Sequence, residues 1–421
     1  QPLPPPPPLP PPQPVAATDP AELFLGRPVG PYRRPAPDPT RPTTRGSLEE
    51  LARRGAWRAV IAGAQQLLSS AAGRSGTAPP LEDQLALRHL RLSGLVKLRQ
   101  IPTAEREISL LGDLTGPAWY YETHAPSGGG GGSAQQGSMA PFALLHLHAL
   151  MPSFAGNHVA SVGRVLALLS LVQGAPWPEA SWPAEAAAAV AASQAGRARA
   201  AEQRLALHVS LVNQYAASGD WPLAIAHLEG LLGGGLGGEA AGVGCGGGGE
   251  RGAGRKGGEG DGGGGDRELL SLLGRLYLQA GNIDAAEDAF ERRECLDGDA
   301  EKDPEVRANR GHLLVACGVF EGAIAEYGAA LDLTGGRHAV AANNRATCLL
   351  YRGRLAEAIA ALEAFLRLEP AAHATPAVVA NLGSLYQMVE GGDAARAALE
   401  ALVSTTGSEE LDLSCLQPPS S

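Results

Sequence analysis

The chain has 421 residues, 44% hydrophobic and 5% aromatic, with a formal net charge of −10. Such a balance lacks the basic face that wholesale nucleic-acid binding needs, and no apolar run approaches the ~18 residues required to span a bilayer. The five cysteines are scattered and odd in number and no Asn-x-Ser/Thr sequon occurs, so a reducing, cytoplasmic setting is expected.

Seventeen of the 33 prolines fall within the first 42 residues. Residues 1–46 are therefore expected to be a disordered or polyproline II arm, serving either as a ligand for a proline-recognising domain or as a solvated tail. The start is proline-rich rather than basic then apolar, so no secretory signal is expected. The chain begins at Gln1, not Met, which leaves room for upstream sequence. Ser47-Leu-Glu-Glu50 predicts the first helix, with Ser47 as N-cap and Glu50 completing a capping box. Leu51, Trp57, Val60, Ile61 and Leu68 carry its apolar positions. Leu81–Leu98 and Thr103–Leu111 predict a helix pair punctuated by Pro102. The stretch Gly116–Glu122 holds the densest aromatic cluster, Trp119, Tyr120 and Tyr121. Two readings stand for it: a loop whose rings plug the solenoid groove, or an exposed anchor for a partner.

A glycine run within 127–137 predicts a flexible insertion. Pro141–Leu150 and Val159–Val172 predict a further pair, broken near Gly156-Asn157. Gly174–Trp182 reads as a loop and Ala184–Val212 as a long alanine-rich helix. Twenty of the 56 glycines lie between 233 and 265, so 233–266 is expected to be a disordered insertion.

Beyond it the pattern repeats. In Ala339–Pro370, Ala342, Ala346, Leu349 and Leu350 form one apolar stripe. Leu355, Ala358, Ile359, Leu362 and Leu366 form another, across a break at Gly353. With Gly353 as position 15, position 6 is Asn344, position 8 Ala346, position 20 Ala358 and position 24 Leu362. The preceding units put Asn309, Gly311, Ala323 and Tyr327, and Leu272, Gly274, Ala286 and Phe290, at those positions. The unit after puts Asn381, Gly383, Ala395 and Leu399 there, and Gly219–Leu228 fits positions 15 to 24 of a fifth. A recurring helix pair of about 34 residues is the tetratricopeptide pattern. The fold expected is an all-α tetratricopeptide-repeat solenoid with a disordered N-terminal arm and glycine-rich insertions. The division expected is an arm (1–46), an N-terminal block (47–232), the insertion (233–266), a C-terminal block (267–403) and a polar tail (404–421).

Motifs for chemistry are missing or out of context. Gly252–Gly257 matches G-x-G-x-x-G but has neither a preceding strand nor a following helix. Asp297–Asp303 resembles a calcium loop without the glycine and glutamate that loop requires, so a solvated inter-repeat turn is expected. His146 and His148 are two apart on a helix and cannot share a metal. Cys317 and Cys348 read as small buried hydrophobes in first helices. No enzyme, metal or cofactor is expected. The chain's product is the inner face of its helical array. Groove positions there include Glu268, Ser271, Arg275, Glu305, His312, Asn343, Thr347, Ser384 and Gln387, a mixed and nearly neutral set. The partner-binding residues expected are Trp119, Tyr120, Tyr121, Arg275, His312, Asn343, Thr347 and Gln387.

Several stretches resemble the subunit 12 family of the trafficking protein particle (TRAPP) complex. Trp119–Glu122 resembles its Tyr-Tyr-Glu element, and Gly137–Phe142 its Gly-Ser-Met-x-Pro-Phe segment. Ala342–Leu355 resembles its Asn-Asn-x-Ala-x-Cys-Leu-Leu-Tyr-x-Gly-x-Leu element, and Asn381–Tyr386 its Asn-Leu-x-x-x-Tyr. Cys415-Leu416 also has a counterpart. The resemblance covers roughly residues 47–416. It departs at the two glycine insertions, in the 184–212 region and in the family's long N-terminal extension. It implies a non-catalytic scaffold subunit of a vesicle tether, bound to other TRAPP subunits and through them to a Rab-family GTPase. That role lies in endoplasmic reticulum-to-Golgi transport and autophagy. The place implied is cytoplasmic, peripheral at the intermediate compartment and the Golgi. The alternative is a repeat adaptor of another assembly: ciliary, chaperone or kinetochore-related.

Overall fold

A computed structural model describes residues 19–36, 43–73, 80–124, 138–173, 194–234, 263–296 and 298–416. The helices in order are α1 (Pro20–Leu25), α2 (Arg45–Arg53), α3 (Trp57–Gly73), α4 (Leu81–Lys97), α5 (Ile101–Ser109), α6 (Tyr121–His124), α7 (Phe142–Phe154) and α8 (His158–Leu171). They continue as α9 (Gln194–Ala217), α10 (Trp221–Gly234), α11 (Gly263–Gln279), α12 (Ile283–Cys295), α13 (Pro304–Ala316) and α14 (Phe320–Leu333). The last are α15 (Ala339–Tyr351), α16 (Leu355–Leu368), α17 (Pro370–His373), α18 (Pro376–Gln387) and α19 (Gly392–Thr406). Among the described residues there is no strand, only an isolated bridge between Tyr120 and Ser138.

Paired helices form the hairpins α2/α3, α4/α5, α7/α8, α9/α10, α11/α12, α13/α14, α15/α16 and α18/α19. Every hairpin turn uses one residue with positive φ. Seven of these are glycines, from Gly55 to Gly391, and the eighth is Arg99 at φ 57°. In three turns the glycine is followed by an Asn or Asp whose side chain caps the next helix: Asn157, Asp220 and Asn282. Arg99 carries the strain that its glycine counterparts avoid. Arg99→Gly is therefore expected to raise stability by about 0.5–1 kcal/mol, the relief exceeding glycine's entropic cost. A lower urea midpoint for that variant would show that Arg99 is anchored by contacts that outweigh the strain.

The repeat crossings are as the residue pattern predicts. Ala286, Ala323 and Ala358 are fully buried at position 20, and Phe290, Tyr327 and Leu362 fill position 24. A Cβ on Gly274 would stand 2.3 Å from the Phe290 ring, and one on Gly311 2.6 Å from the Tyr327 ring. The hairpins stack on their sequence neighbours. Val212, Ala224 and Leu228 share one apolar cluster with Leu269, Leu273 and Ala289, so α9/α10 packs directly on α11/α12. Residues 235–262, which join them, lie outside the described residues, as does Gly252–Gly257.

Several local expectations are corrected. Ser47 is not the N-cap: Thr44 caps α2, and Ser47 is its reciprocal partner at the third helical position. The apolar positions assigned to one helix fall on two, separated by the turn at Gly55. Cys348 is buried, but Cys317 sits at the end of α13 and is exposed. The acidic 299–303 stretch is an exposed inter-repeat turn, as expected, and it also forms a charged junction. Asp303 caps α13 and pairs with the buried Arg293 at 2.6 Å, while Glu301 pairs with Arg310 at 2.7 Å.

The two ends of the array meet, which the sequence pattern does not announce. Gly55 O accepts from Glu409 N at 3.0 Å, and Trp57 Nε1 donates to Ser408 Oγ at 3.2 Å. Lys97 pairs with Glu410 at 2.6 Å. Within the expected disordered arm, residues 19–36 are ordered, and α1 packs on α19. Within the expected polar tail, 404–406 complete α19 and Leu416 is buried. Both differences have one cause. The terminal hairpin leaves an apolar face that its own sequence neighbours do not cover.

Candidate interaction surface

First helices of successive hairpins line one face of the array. Two cavities open there. The first, about 390 Å³, is lined by Val209 of α9, by Arg267, Glu268, Ser271, Leu272 and Arg275 of α11, and by Arg293 and Glu305. The second, about 200 Å³, is lined by His312, Val315, Tyr327, Asn344, Thr347, Cys348 and Tyr351. Arg275 therefore shares a cavity with Ser271 and Glu305, while His312 shares the next with Thr347.

Arg275 is the group with most at stake. It is half-buried, and no hydrogen bond or ion pair holds its guanidinium among the described residues. Burial pulls its pKa below the ordinary arginine value, opposed by the charge of Glu305. Glu305 in turn is held below the usual carboxylate range, chiefly by His338, which lies 3.2 Å away.

His312 is drawn down to about 4, first by burial and then by the charge of Arg275. Its Nδ1 faces two donors. Asn344 Nδ2 lies at 3.4 Å and Tyr327 Oη at 2.7 Å. An amide nitrogen can only donate, so Nδ1 is the accepting, unprotonated nitrogen and the tyrosine hydroxyl donates to it. Burial raises the pKa of Tyr327, which keeps that hydroxyl protonated.

The groove floor carries a polar ladder that the sequence reading missed. Asn309 Nδ2 donates to Ser271 Oγ at 2.8 Å, Asn344 reaches His312, and Asn381 Nδ2 donates to Asn343 Oδ1 at 2.8 Å. Each asparagine is position 6 of its repeat and reaches back to the preceding one. The recurrence of asparagine was visible; its partners were not, because they depend on how first helices stack. Asn343 and Thr347 are tied into this network, with Thr347 Oγ1 donating to Asn343 O at 3.0 Å. Gln387 stands exposed at the end of α18, lining neither cavity.

The aromatic cluster lies elsewhere. Trp119 and Tyr121 are half-buried against the apolar cluster of α4 to α9. Trp119 O accepts from Met139 N at 2.8 Å, and Tyr121 Oη donates to Glu82. Burial, then this carboxylate, raise the Tyr121 pKa. Tyr120 forms the bridge to Ser138. None of the three reaches either cavity. His146 is likewise engaged, with Nε2 2.8 Å from Ser210 Oγ. Among the described residues no cluster of three metal-ligating side chains occurs, and no helix is long and apolar enough to cross a membrane.

Comparison with known proteins supports the repeat assignment and the resemblance. The family model for the tetratricopeptide repeat matches residues 268–292. Trafficking protein particle complex subunit 12 of Homo sapiens is 28% identical over 383 residues, covering 86% of this chain and 46% of the relative. The Mus musculus protein is 28% identical over 384 residues, covering 86% of this chain and 43% of the relative. The chain thus spans less than half the length of the curated relatives it matches. Among solved structures, Ypp1 aligns with 79% of this chain and 37% of its own at 15% identity and a TM-score of 0.43. A tetratricopeptide repeat protein from Parabacteroides merdae aligns with 78% and 94% at 14% identity and a TM-score of 0.38. At such scores the fold rests on the chain's own repeats.

Proposed function

We propose that this chain, a tetratricopeptide-repeat relative of TRAPP complex subunit 12, is a non-catalytic scaffold subunit of that tethering complex. The observation that carries the reading is the 28% identity over 383 residues, which covers 86% of the chain. Its partners are other TRAPP subunits, and through them a Rab-family GTPase. Its setting is endoplasmic reticulum-to-Golgi transport and autophagy, peripheral to those membranes.

The groove supports recognition rather than reaction. It offers a half-buried guanidinium, a ladder of amides and apolar walls. A desolvated cation that no hydrogen bond or ion pair holds is costly, with Glu305 offsetting only part of the cost, and an acidic side chain of a docked subunit would offset more of it. Arg275 is thus the anchor of the docking site, with His312, Asn343 and Thr347 shaping the adjoining floor.

Affinity purification of the tagged chain from cell lysate tests this. Recovery of TRAPP core subunits is expected. Their absence, with a ciliary, chaperone or kinetochore assembly recovered instead, would reject it for the general adaptor.

A further inference from the structure

Residues 19–34 lie on the last hairpin as a ligand would. Asp19 Oδ1 accepts from Ala21 N at 3.0 Å and opens α1, and Gly26 ends it in the left-handed region. Ala21, Phe24, Leu25 and Val29 are buried in one cluster with Phe365, Leu366, Leu399, Leu402 and Val403. Arg367 Nε donates to Phe24 O at 2.8 Å, and its guanidinium lies 5.2 Å from the Phe24 ring centroid. Arg27 returns the contact by donating to Arg367 O.

The end of the segment is equally specific. Arg34 N donates to Thr405 O at 3.0 Å. Its side chain donates to Gly407 O at 2.8 Å and Ser404 O at 3.0 Å, and pairs with Glu409 at 3.2 Å. Ser404, Thr405 and Gly407 carry carbonyls at the end of α19, where no further helical turn supplies donors. A cation there also meets the negative end of the helix dipole. One arginine therefore caps α19 from about 370 residues upstream.

This face recognises a definite pattern: an apolar pair, Phe24-Leu25, Val29 four residues later, and an arginine ten residues after the phenylalanine. Nothing in the contact requires that the ligand belong to the same chain. A six-residue helix has little stability alone, so the segment is ordered by the face it covers. Attachment to α2 gives it a high effective concentration, which a second ligand must overcome.

We propose that the face built jointly by α16 of the preceding hairpin, α19 of the last one and residues 404–409 is a docking site for a short amphipathic helix followed by an arginine. Residues 19–34 fill it in cis. A helix of the same pattern on a protein partner occupies it in trans when they are displaced. This does not depend on which complex the chain joins.

The probe is a fluorescein-labelled peptide of residues 19–36, added to the full chain and to the full-length Phe24→Ala/Arg34→Ala variant. That variant weakens the occupant and leaves the docking face intact. The peptide is expected to bind the variant at least tenfold tighter than the unaltered chain, and a peptide carrying both substitutions to bind neither. Amide exchange is expected to quicken over 399–406 in the variant, to recover with peptide, and to stay unchanged in α11–α14. The milder Arg34→Ala chain should show the same pattern at smaller amplitude. Equal binding to both chains, or none to the variant, overturns the proposal. Loss of protection in α11–α14 as well would make the segment an inseparable part of the core. Variant dimers held by exchanged segments would make the site one between copies of this chain. Either result also overturns it.

Discussion

Gly311→Ala is expected to lower stability by about 2 kcal/mol, although alanine in place of glycine in an exposed helix raises it by about 0.5–1 kcal/mol. The new Cβ would stand 2.6 Å from Tyr327 Cε1 and 2.8 Å from Cζ. The ring cannot swing away. Tyr327 is 1% exposed, and its hydroxyl is tied to His312 at 2.7 Å. Gly274→Ala meets Phe290 in the same way, at 2.3 Å. Urea unfolding of Gly311→Ala, Tyr327→Leu and the double variant measures the coupling. The double variant should lose clearly less than the two single losses combined. A neutral or stabilising Gly311→Ala would mean that the helices of a hairpin do not approach as closely as described.

Acid is expected to destabilise the array well before carboxylates protonate. Burial is the first cause lowering the pKa of His89, His146, His148, His208, His227 and His312, with His208 and His312 reaching about 4. A histidine held below its unfolded value of about 6.5 binds its proton more readily in the unfolded chain. Each contribution is therefore intact above pH 6.5 and lost as the pH falls below it, for His208 and His312 down to about 4. For His312 this amounts to about 3 kcal/mol at most. His208 is more open to solvent and contributes less. The chemistry at His312 sets the direction independently. Its Nδ1 accepts from both Asn344 and Tyr327, and protonation replaces that acceptor with a donor beside Arg275 and His338. Glu305, on the same face, acts the other way. Asp303 and Glu305 are held below their ordinary values and extend the loss to still lower pH. Urea midpoints at pH 7.5 and pH 5 should differ substantially, and His312→Asn should narrow the gap. An unchanged midpoint between those values would contradict the buried, neutral state of these rings.

The hairpins were legible because each carries its own code. Three- and four-residue apolar spacing, a glycine in seven of the eight turns described and small residues at positions 8 and 20 are local features, and local features survive in a single sequence. Gly281-Asn282 and Gly219-Asp220 announce both the turn and the next helix cap. Residues 19–34 were not legible, because proline-rich composition argues for disorder and their partner lies at the other end of the chain. The role of Arg34 depends on the carbonyls it caps, which no spacing reveals.

The groove was legible only in part. Periodicity places Arg275, His312 and Asn343 on inward-facing positions, but it does not say which of them is satisfied. Asn343 is held by Asn344 and Asn381, and His312 by Tyr327 and Asn344. Arg275 has no such partner, a fact of packing rather than pattern. Trp119 and Tyr121 mislead for the opposite reason. Aromatic clusters mark interfaces and cores alike, and here the apolar cluster of α4 to α9 claims both rings.

The most direct test is recovery of TRAPP subunits by tagged wild-type chain and by Arg275→Ala, purified in parallel. Equal melting temperatures would first show that the substitution leaves the array folded. At least a tenfold lower recovery is expected with Arg275→Ala, since losing a central anchor costs about 2 kcal/mol or more. Equal recovery by the two chains would contradict it and move the docking surface away from the inner groove.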